Sequence, residues 1–317
     1  MYRLSICIPT YNRGEYFRET LDSILAQGHD DVEVVVGDDA SPDGTADLMA
    51  SYVASHKNVV YYRNDTNRGM DYNFVEVVRR ASGEYCWLMG DDDVLEPGAI
   101  DVVLNEYLAG VDKPDFLVAS YRIYDQPLAN VLSSSNKELG IEQDVTFCGA
   151  NEAFTNLLRE VCLSAYIVRR DRWMTVDGSR YEGTMYAQVG AVYEALPADA
   201  RVTVIGRPLV KYRAGNASWT RKTITLLSTN VERLLAALPD RYDPVKHAAR
   251  DGFRQRFPIT LGLLARLRAN RIYGSGDYVT HLHAYFEDYP AKRAAAWLIA
   301  RMPPAFFMLL LVITKRA

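Results

Sequence analysis

The sequence predicts an α/β fold with a mostly parallel central sheet and a helical C-terminal region, and three observations carry that expectation. Over residues 1–110, short β-branched apolar runs alternate with stretches of helical spacing, the pattern of strand–crossover–strand units whose right-handed connections make a parallel sheet. Each run stops at polar or turn residues, which brings side-chain chemistry to one edge of that sheet. Beyond residue 223 the strand signal ends and helical spacing takes over.

In order, Leu4–Ile8 is the first apolar run and stops at Pro9, and Tyr16–Leu25 has helical spacing through Phe17, Leu21, Ile24 and Leu25. Val32–Val36 is a second strand, broken at Gly37-Asp38-Asp39, and Thr45–Ser55 a second helix. Val59–Tyr62, Tyr72–Arg80 and Glu84–Met89 complete a βαβαβαβ succession. The middle is less regular. Asp115–Tyr121 and Ala165–Val168 read as strands, Glu152–Arg159 and Tyr186–Leu196 as helices, and the polar stretch Asn130–Gly140 as a mobile loop that substrate would order. Arg201–Ile205 and Val210–Tyr212 add two strands, and Thr225–Leu238 opens the helical part. The expected division is residues 1–222 as the catalytic domain and 223–317 as a basic helical region.

The 317 residues carry 36 Lys+Arg against 40 Asp+Glu and are 49% apolar, which excludes a disordered segment, a small disulfide scaffold and a basic nucleic-acid module. Cys7, Cys86, Cys148 and Cys162 lie far apart, and the first two sit in apolar runs, as free thiols of a reducing compartment do. No leader pattern precedes the first strand, so the expected location is cytoplasmic. Charge is divided unevenly. Residues 1–200 hold 16 basic and 33 acidic side chains, net −17, whereas residues 201–317 hold 20 and 7, net +13. The two halves either attract each other, or the acidic one holds a metal and a polar substrate while the basic one meets phosphate or an anionic membrane. Between Arg241 and Arg271 eight basic residues face two acidic ones, beside an apolar stripe through Phe253, Phe257, Leu261, Leu264 and Leu267. Met302–Thr314 is an uncharged run of 13 between Arg301 and Lys315-Arg316. A bilayer span takes about 20 residues, so this tail reads as an interfacial anchor or a docking segment, with a buried helix as the alternative.

The chemistry concentrates at strand exits. Asp91-Asp92-Asp93 follows the apolar run Tyr85-Cys86-Trp87-Leu88-Met89-Gly90, and where a strand has ended Asp91 and Asp93 can turn to one hard cation, Mg²⁺ or Mn²⁺, bridging a diphosphate. Asp38-Asp39 closes the second strand, ahead of the turn Ala40-Ser41-Pro42-Asp43-Gly44-Thr45, and Pro9-Thr10-Tyr11-Asn12-Arg13 closes the first. The first turn has no Gly-x-Gly-x-x-Gly fingerprint, and no Gly-Lys-Ser/Thr phosphate loop occurs, which disfavours nicotinamide oxidoreductases and nucleoside triphosphatases. His29, His56 and His247 are isolated, and His281 and His283 have no Cys or His partner nearby, so no histidine metal site is expected.

These segments, together with Asn67-Arg68-Gly69 and Ala81-Ser82-Gly83-Glu84-Tyr85, resemble family 2 glycosyltransferases of the GT-A nucleotide-diphospho-sugar fold, in order and spacing over residues 3–120. The resemblance implies that Pro9, Tyr11 and Asp39 contact the nucleotide, that Asp38 supports its pocket, that Asp91 approaches the sugar and ribose, and that Asp93 coordinates the metal of a DXD motif. Arg13, Asn67 and Asp92 join the expected binding set, and Asp91 is the second expected metal ligand. Val210-Lys211-Tyr212-Arg213-Ala214-Gly215-Asn216-Ala217-Ser218 is similar to a pattern of O-antigen and cell-surface polysaccharide transferases, and it would set Lys211 and Arg213 against the departing diphosphate.

The reaction so implied inverts the anomeric carbon, with a carboxylate base on the acceptor hydroxyl. Many relatives place a Glu-Asp pair there. This chain has Val176-Asp177-Gly178-Ser179-Arg180-Tyr181-Glu182-Gly183 instead, so Glu182 is the first candidate base and Asp177 the second. The expected acceptor is a polyprenyl-diphosphate-linked glycan at the inner membrane face. The alternatives are a soluble transferase on a free or protein-bound acceptor, and a noncatalytic module that binds a nucleotide sugar or glycan.

Overall fold

The computed structural model describes residues 2–216 and 220–308. Ten strands form one sheet: β1 (Leu4–Thr10), β2 (Val32–Asp38), β3 (Val59–Arg63), β4 (Tyr85–Leu88), β5 (Val94–Leu95), β6 (Phe116–Tyr124), β7 (Val131–Ser134), β8 (Val145–Cys148), β9 (Tyr166–Arg169) and β10 (Arg201–Arg213). The path runs β3-β2-β1-β4-β9-β6-β10-β5, with β7 on β6 and β8 on β10. β1, β2, β3 and β4 are parallel neighbours, with Ile6 opposite both Val34 and Trp87. Because β9 runs antiparallel to both β4 and β6, the parallel direction resumes in β6 and β10. Every residue of β1 and β2 is buried, as expected for strands covered on both faces, and that burial explains their mostly apolar runs, in which Ser5 Oγ donates to Glu33 Oε1.

The helices α1 (Gly14–Leu25), α2 (Thr45–Ser55) and α3 (Met70–Arg79) connect the first four strands. α1 buries Phe17, Thr20, Leu21 and Ile24, one stripe of its surface. Since β1 lies between β2 and β4 while the chain visits β2 first, the C-terminal ends of these strands frame a crevice, where doubly wound sheets place ligands.

Two segments differ from the sequence expectation. The stretch from residue 201 to 213 is one strand rather than two. Its register against β6 shifts on either side of Pro208, and a bulge there tolerates a residue that cannot donate to the ladder. Asn130–Gly140 is not a loop but contains β7 and the short helix Ser135–Leu139. Its polar residues bond inward: Ser135 Oγ accepts the Tyr121 N–H at 2.9 Å, and Asn136 Nδ2 donates to the carbonyls of Ile141 and Gly206 at 2.8 and 2.7 Å.

The C-terminal helices join this body. The main core continues from the sheet through Leu226, Val231, Leu234, Tyr242, Ala249 and Phe253. A second apolar cluster, including Leu264, Leu267, Tyr273, Leu282 and Ala296, holds the helices beyond residue 258 together. Of the uncharged tail, Phe307 is buried while Phe306 and Met308 are exposed; residues 309–314 lie outside the described residues. Among the described residues no helix is long and apolar enough to cross a membrane.

Candidate active site

A cleft of about 580 Å³ opens at the C-terminal ends of β1, β2 and β4. Pro9, Thr10, Tyr11, Arg13, Asp39 and Asn67 line one side of it, and Gly90 through Asp93 its floor. The chain reaches this edge through unusual backbone. Asn12, Ala40 and Met185 all have positive φ, at 56°, 63° and 61°, conformations that side-chain-bearing residues hold only where surrounding contacts fix them.

At the exit of β4 each aspartate has different partners. Asp91 Oδ2 accepts Thr10 Oγ1 at 2.8 Å, and the Arg13 guanidinium lies 3.7 Å from Oδ1. Asp92 Oδ2 accepts Arg13 Nη2 at 2.6 Å and Asn216 Nδ2 at 2.7 Å. Asp93 is buried, with Oδ2 accepting Ser164 Oγ at 2.5 Å and Oδ1 the Arg213 N–H at 2.9 Å. Burial, then the neighbouring Asp92 charge, pushes Asp91 up to about 7 and Asp93 up to about 8. Carboxylates held so high are short of positive charge. Among the described residues no three metal-binding side chains converge on one point. Two hard carboxylates on a diphosphate still suit a partly hydrated Mg²⁺ or Mn²⁺, which keeps water in the remaining positions.

The β2 exit shapes the nucleotide side. Asp38 is fully buried and accepts the Ser41 N–H at 2.8 Å and the Tyr61 hydroxyl at 2.7 Å, which fixes the turn after β2. Asp39 accepts the N–H groups of Arg68 and Gly69, both at 2.8 Å, and Asn64 Nδ2 at 2.9 Å. This carboxylate thereby ties the Asn67-Arg68-Gly69 loop to the cleft. Ser41 Oγ accepts the Asn12 N–H at 2.9 Å and links the first two strand exits.

The opposite wall is apolar, with Val161, Leu163, Met185, Leu226, Phe253 and Phe257. It is interrupted by one polar cluster that sequence reasoning missed. Arg256, from the helix Lys246–Arg256, donates to Glu160 Oε2 at 3.1 Å, to the Tyr121 hydroxyl at 3.0 Å and to Glu138 Oε2 at 2.7 Å. Glu160 also accepts the Cys162 N–H at 3.0 Å. The partners are 96 and 118 residues from Arg256, so no local spacing announces them. The Arg256 and Glu160 side chains are 8% and 1% exposed. Arg256→Ala therefore leaves a buried charge unpaired and is expected to lower unfolding free energy by about 3–5 kcal/mol, read from urea denaturation. Arg256→Met with Glu160→Leu should recover most of that loss, and no recovery would show that the charge pairing is not the cause.

Of the residues expected from sequence, Pro9, Tyr11, Arg13, Asp39, Asn67, Asp91, Asp92 and Asp93 line the cleft, and Asp38 lies behind it. Lys211 and Arg213 do not line it. Lys211 turns to Glu96, 3.8 Å away. The Arg213 guanidinium is buried against the Asp92 carbonyl at 2.8 Å, the Gln126 carbonyl at 2.5 Å and the Glu19 carboxylate, and so braces the aspartates from outside. Asn216 does line the cleft, whereas Ser218 lies outside the described residues. Neither candidate base lines it. Asp177 is exposed and caps a short turn, accepting the Ser179 N–H at 3.2 Å and hydroxyl at 2.6 Å, bonds that lower its pKa. Glu182 is exposed on a loop whose far end Asp71 fixes by accepting the N–H groups of Met185 at 2.9 Å and Ala187 at 3.2 Å. Burial raises the pKa of Asp71, against those backbone bonds.

Comparison with known proteins accords with this geometry. The sequence profile of glycosyl transferase family 2 matches residues 5–144. Abequosyltransferase RfbV of Salmonella typhimurium is 30% identical over 237 residues, 69% of each chain. The GalNAc(5)-diNAcBac-PP-undecaprenol beta-1,3-glucosyltransferase of Campylobacter jejuni is 30% identical over 107 residues, 33% of this chain and 35% of that one. Among solved structures, S. aureus TarS 1-349 in complex with UDP-GlcNAc superposes with a TM-score of 0.62 at 15% identity, covering 94% of this chain and 89% of that one. The crevice at the ends of β1, β2 and β4, the aspartates at its floor and a relative matched over two thirds of its length together place this chain in glycosyltransferase family 2, as an enzyme with the GT-A fold.

Proposed function

We propose that the protein transfers a sugar from a nucleotide-diphosphate sugar to a polyprenyl-diphosphate-linked saccharide, in surface-polysaccharide synthesis at the inner membrane face, with inversion at the anomeric carbon. The observation that carries this reading is the single cleft in which Asp39, Tyr11 and the Asp91–Asp93 floor face an apolar wall. The named activities of the two sequence relatives, abequosyl transfer and glucosyl transfer to an undecaprenyl-linked glycan, support the sugar-to-lipid-linked-glycan reading. So does the UDP-GlcNAc complex of the structural neighbour for the donor class.

In this mechanism Pro9 and Tyr11 flank the nucleobase, and Asp39 holds the Asn67-Arg68-Gly69 loop over it. Thr10 and Arg13 orient Asp91 and Asp92 toward ribose and sugar, and Ser164 fixes the Asp93 rotamer. A divalent cation, Mn²⁺ or Mg²⁺, held by Asp93 and Asp91 would neutralise the charge that develops on the leaving diphosphate. Arg13 already lies against Asp91 and Asp92 and can turn to a phosphate once Asp91 is neutralised. Lys211 and Arg213 act at longer range, through the charge they place behind the floor. Glu182, on the exposed loop that leads to Met185 of the cleft wall, takes the proton from the acceptor hydroxyl. A second carboxylate, Glu138, competes for that role because it lines the cleft and only Oε2 carries the bond to Arg256.

Calorimetric titration with UDP, dTDP, GDP and CDP, each with Mn²⁺ and with chelator, tests the reading. One nucleotide should bind in the micromolar range, about −8 kcal/mol, and only with metal. No binding to any of the four would remove the donor site. Binding equally tight in chelator would remove the metal from the mechanism. A soluble transferase with a free acceptor differs in one respect, since it would act on water-soluble saccharides as fast as on lipid-linked ones.

A further inference from the structure

We infer that the outer face of the helix Pro290–Arg301, with residues 302–308 that follow it, is a docking surface for an anionic lipid bilayer. The helix buries Ala296 and Ala300 against the second core cluster. Its opposite face exposes Trp297 and Leu298, at 43% and 53%, and beyond the bend at Met302 the chain exposes Phe306 and Met308, both at 46%. Arg268 Nε holds the Met302 carbonyl at 2.8 Å, so the bend is fixed to the body of the protein.

Single exposed apolar side chains are ordinary on a protein surface, but four large ones within one short stretch are not. Three cations share the helix with Trp297 and Leu298, and the nearest acidic residues in sequence, the exposed Glu287 and Asp288, lie just before it. Residues 290–308 contain Lys292, Arg293 and Arg301 and no Asp or Glu. The Arg301 guanidinium stands 4.5 Å over the Trp297 ring, and Lys292 Nζ 4.7 Å over the Tyr289 ring. Cations ringed around indole and phenol are what a headgroup layer accepts, with the aromatic body at the boundary and the charge on the phosphates. A second copy of the chain fits this face poorly. A twofold interface would set the helix face against itself, Lys292, Arg293 and Arg301 against their own copies, with no carboxylate within residues 290–308 to pair them.

The inference deepens the membrane-face reading of the proposed function, and its test reads no turnover, so the two fail separately. The full-length chain is mixed with vesicles of phosphatidylcholine and phosphatidylglycerol at roughly 3:1, and with phosphatidylcholine alone, and bound protein is measured by flotation. Binding is expected on the anionic vesicles, at least about tenfold weaker on the neutral ones and in about 0.5 M salt. Trp297→Ser with Leu298→Ser, and Lys292→Glu with Arg293→Glu and Arg301→Glu, should each lower the partition coefficient about tenfold or more while leaving the melting temperature and nucleotide binding unchanged. The intrinsic fluorescence should shift to the blue on the anionic vesicles, and Trp297→Phe should remove most of that shift. The proposal is overturned if the wild-type chain ignores anionic vesicles or if both variants bind as it does. It is equally overturned if the wild type dimerises in solution and the Trp297→Ser, Leu298→Ser variant does not, which would assign the face to a second copy.

Discussion

Asp93→Ala is expected to weaken metal-dependent nucleotide binding by about 10²-fold or more, the scale of losing a charge-assisted contact to a cation. The side chain is buried and both its oxygens are in use, toward Ser164 Oγ and the Arg213 N–H. The alanine therefore also frees β10 from the floor. Asp93→Asn separates the two effects, because its carbonyl still accepts one of these bonds while it offers a metal no charge. If both variants lose binding alike, charge is the cause; if Asp93→Asn binds like the wild type, Asp93 is a structural residue and the metal assignment falls. The pH dependence has a definite sign. Asp91 stands at about 7 and Asp93 at about 8 without a cation, so below those values the pair holds protons that a cation must displace. Mn²⁺ affinity of the wild-type protein should fall as pH drops from 8 to 6 and level off above 8, measured by titration at fixed ionic strength. In Asp93→Asn one of the two steps should disappear.

How much of this was legible in the sequence depends on how far apart the cooperating residues lie. α2 has the bounds that its spacing predicts, and β1 to β4 differ from the predicted runs by at most two residues at an end, because the strands covered on both faces, β1, β2 and β4, are mostly apolar, Ser5 and Glu33 being hydrogen-bonded to each other inside the predicted runs. The strand exits were legible for the same reason. Three aspartates after Tyr85-Cys86-Trp87-Leu88-Met89-Gly90 have no packing explanation, and they do lie on the floor of the cleft. The opposite wall was not legible. Arg256, Glu160, Glu138 and Tyr121 come from two helices, a strand and a connection far apart in sequence, and each alone reads as an ordinary surface or strand residue. β5, with two residues, is too short to show a period, and the helix after β7 opens on polar residues because Ser135 and Asn136 bond to neighbouring backbone. Lys211 and Arg213 show the limit of a motif. The period of β10 puts both on one face, but only the fold reveals that Glu96 and Glu19 already wait there. Part of the net charge difference between the two halves of the sequence is likewise met inside the molecule, where Arg256 pairs with Glu138 and Glu160.

Glu182→Gln is expected to lower transfer by about 10²-fold or more with nucleotide affinity nearly unchanged, the scale on which a positioned base acts. The substitution keeps the side-chain shape and removes only its ability to take a proton. Glu138→Gln is the necessary companion. Glu138 lines the cleft and is one-third exposed, with Arg256 as its ion-pair partner. Its loss as a base would show in kcat, whereas loss of a mere brace for Arg256 would show in thermal stability and in acceptor KM. Loss of transfer confined to Glu182→Gln places the base on the loop that Asp71 anchors, and loss confined to Glu138→Gln places it on the polar cluster of the apolar wall. If both variants retain full kcat, neither carboxylate takes the proton, and Asp177 becomes the next substitution to measure. Chemistry follows from the outcome: a base at Glu182 requires an acceptor hydroxyl presented at the exposed loop, whereas a base at Glu138 requires the acceptor to lie against the polar cluster around Arg256.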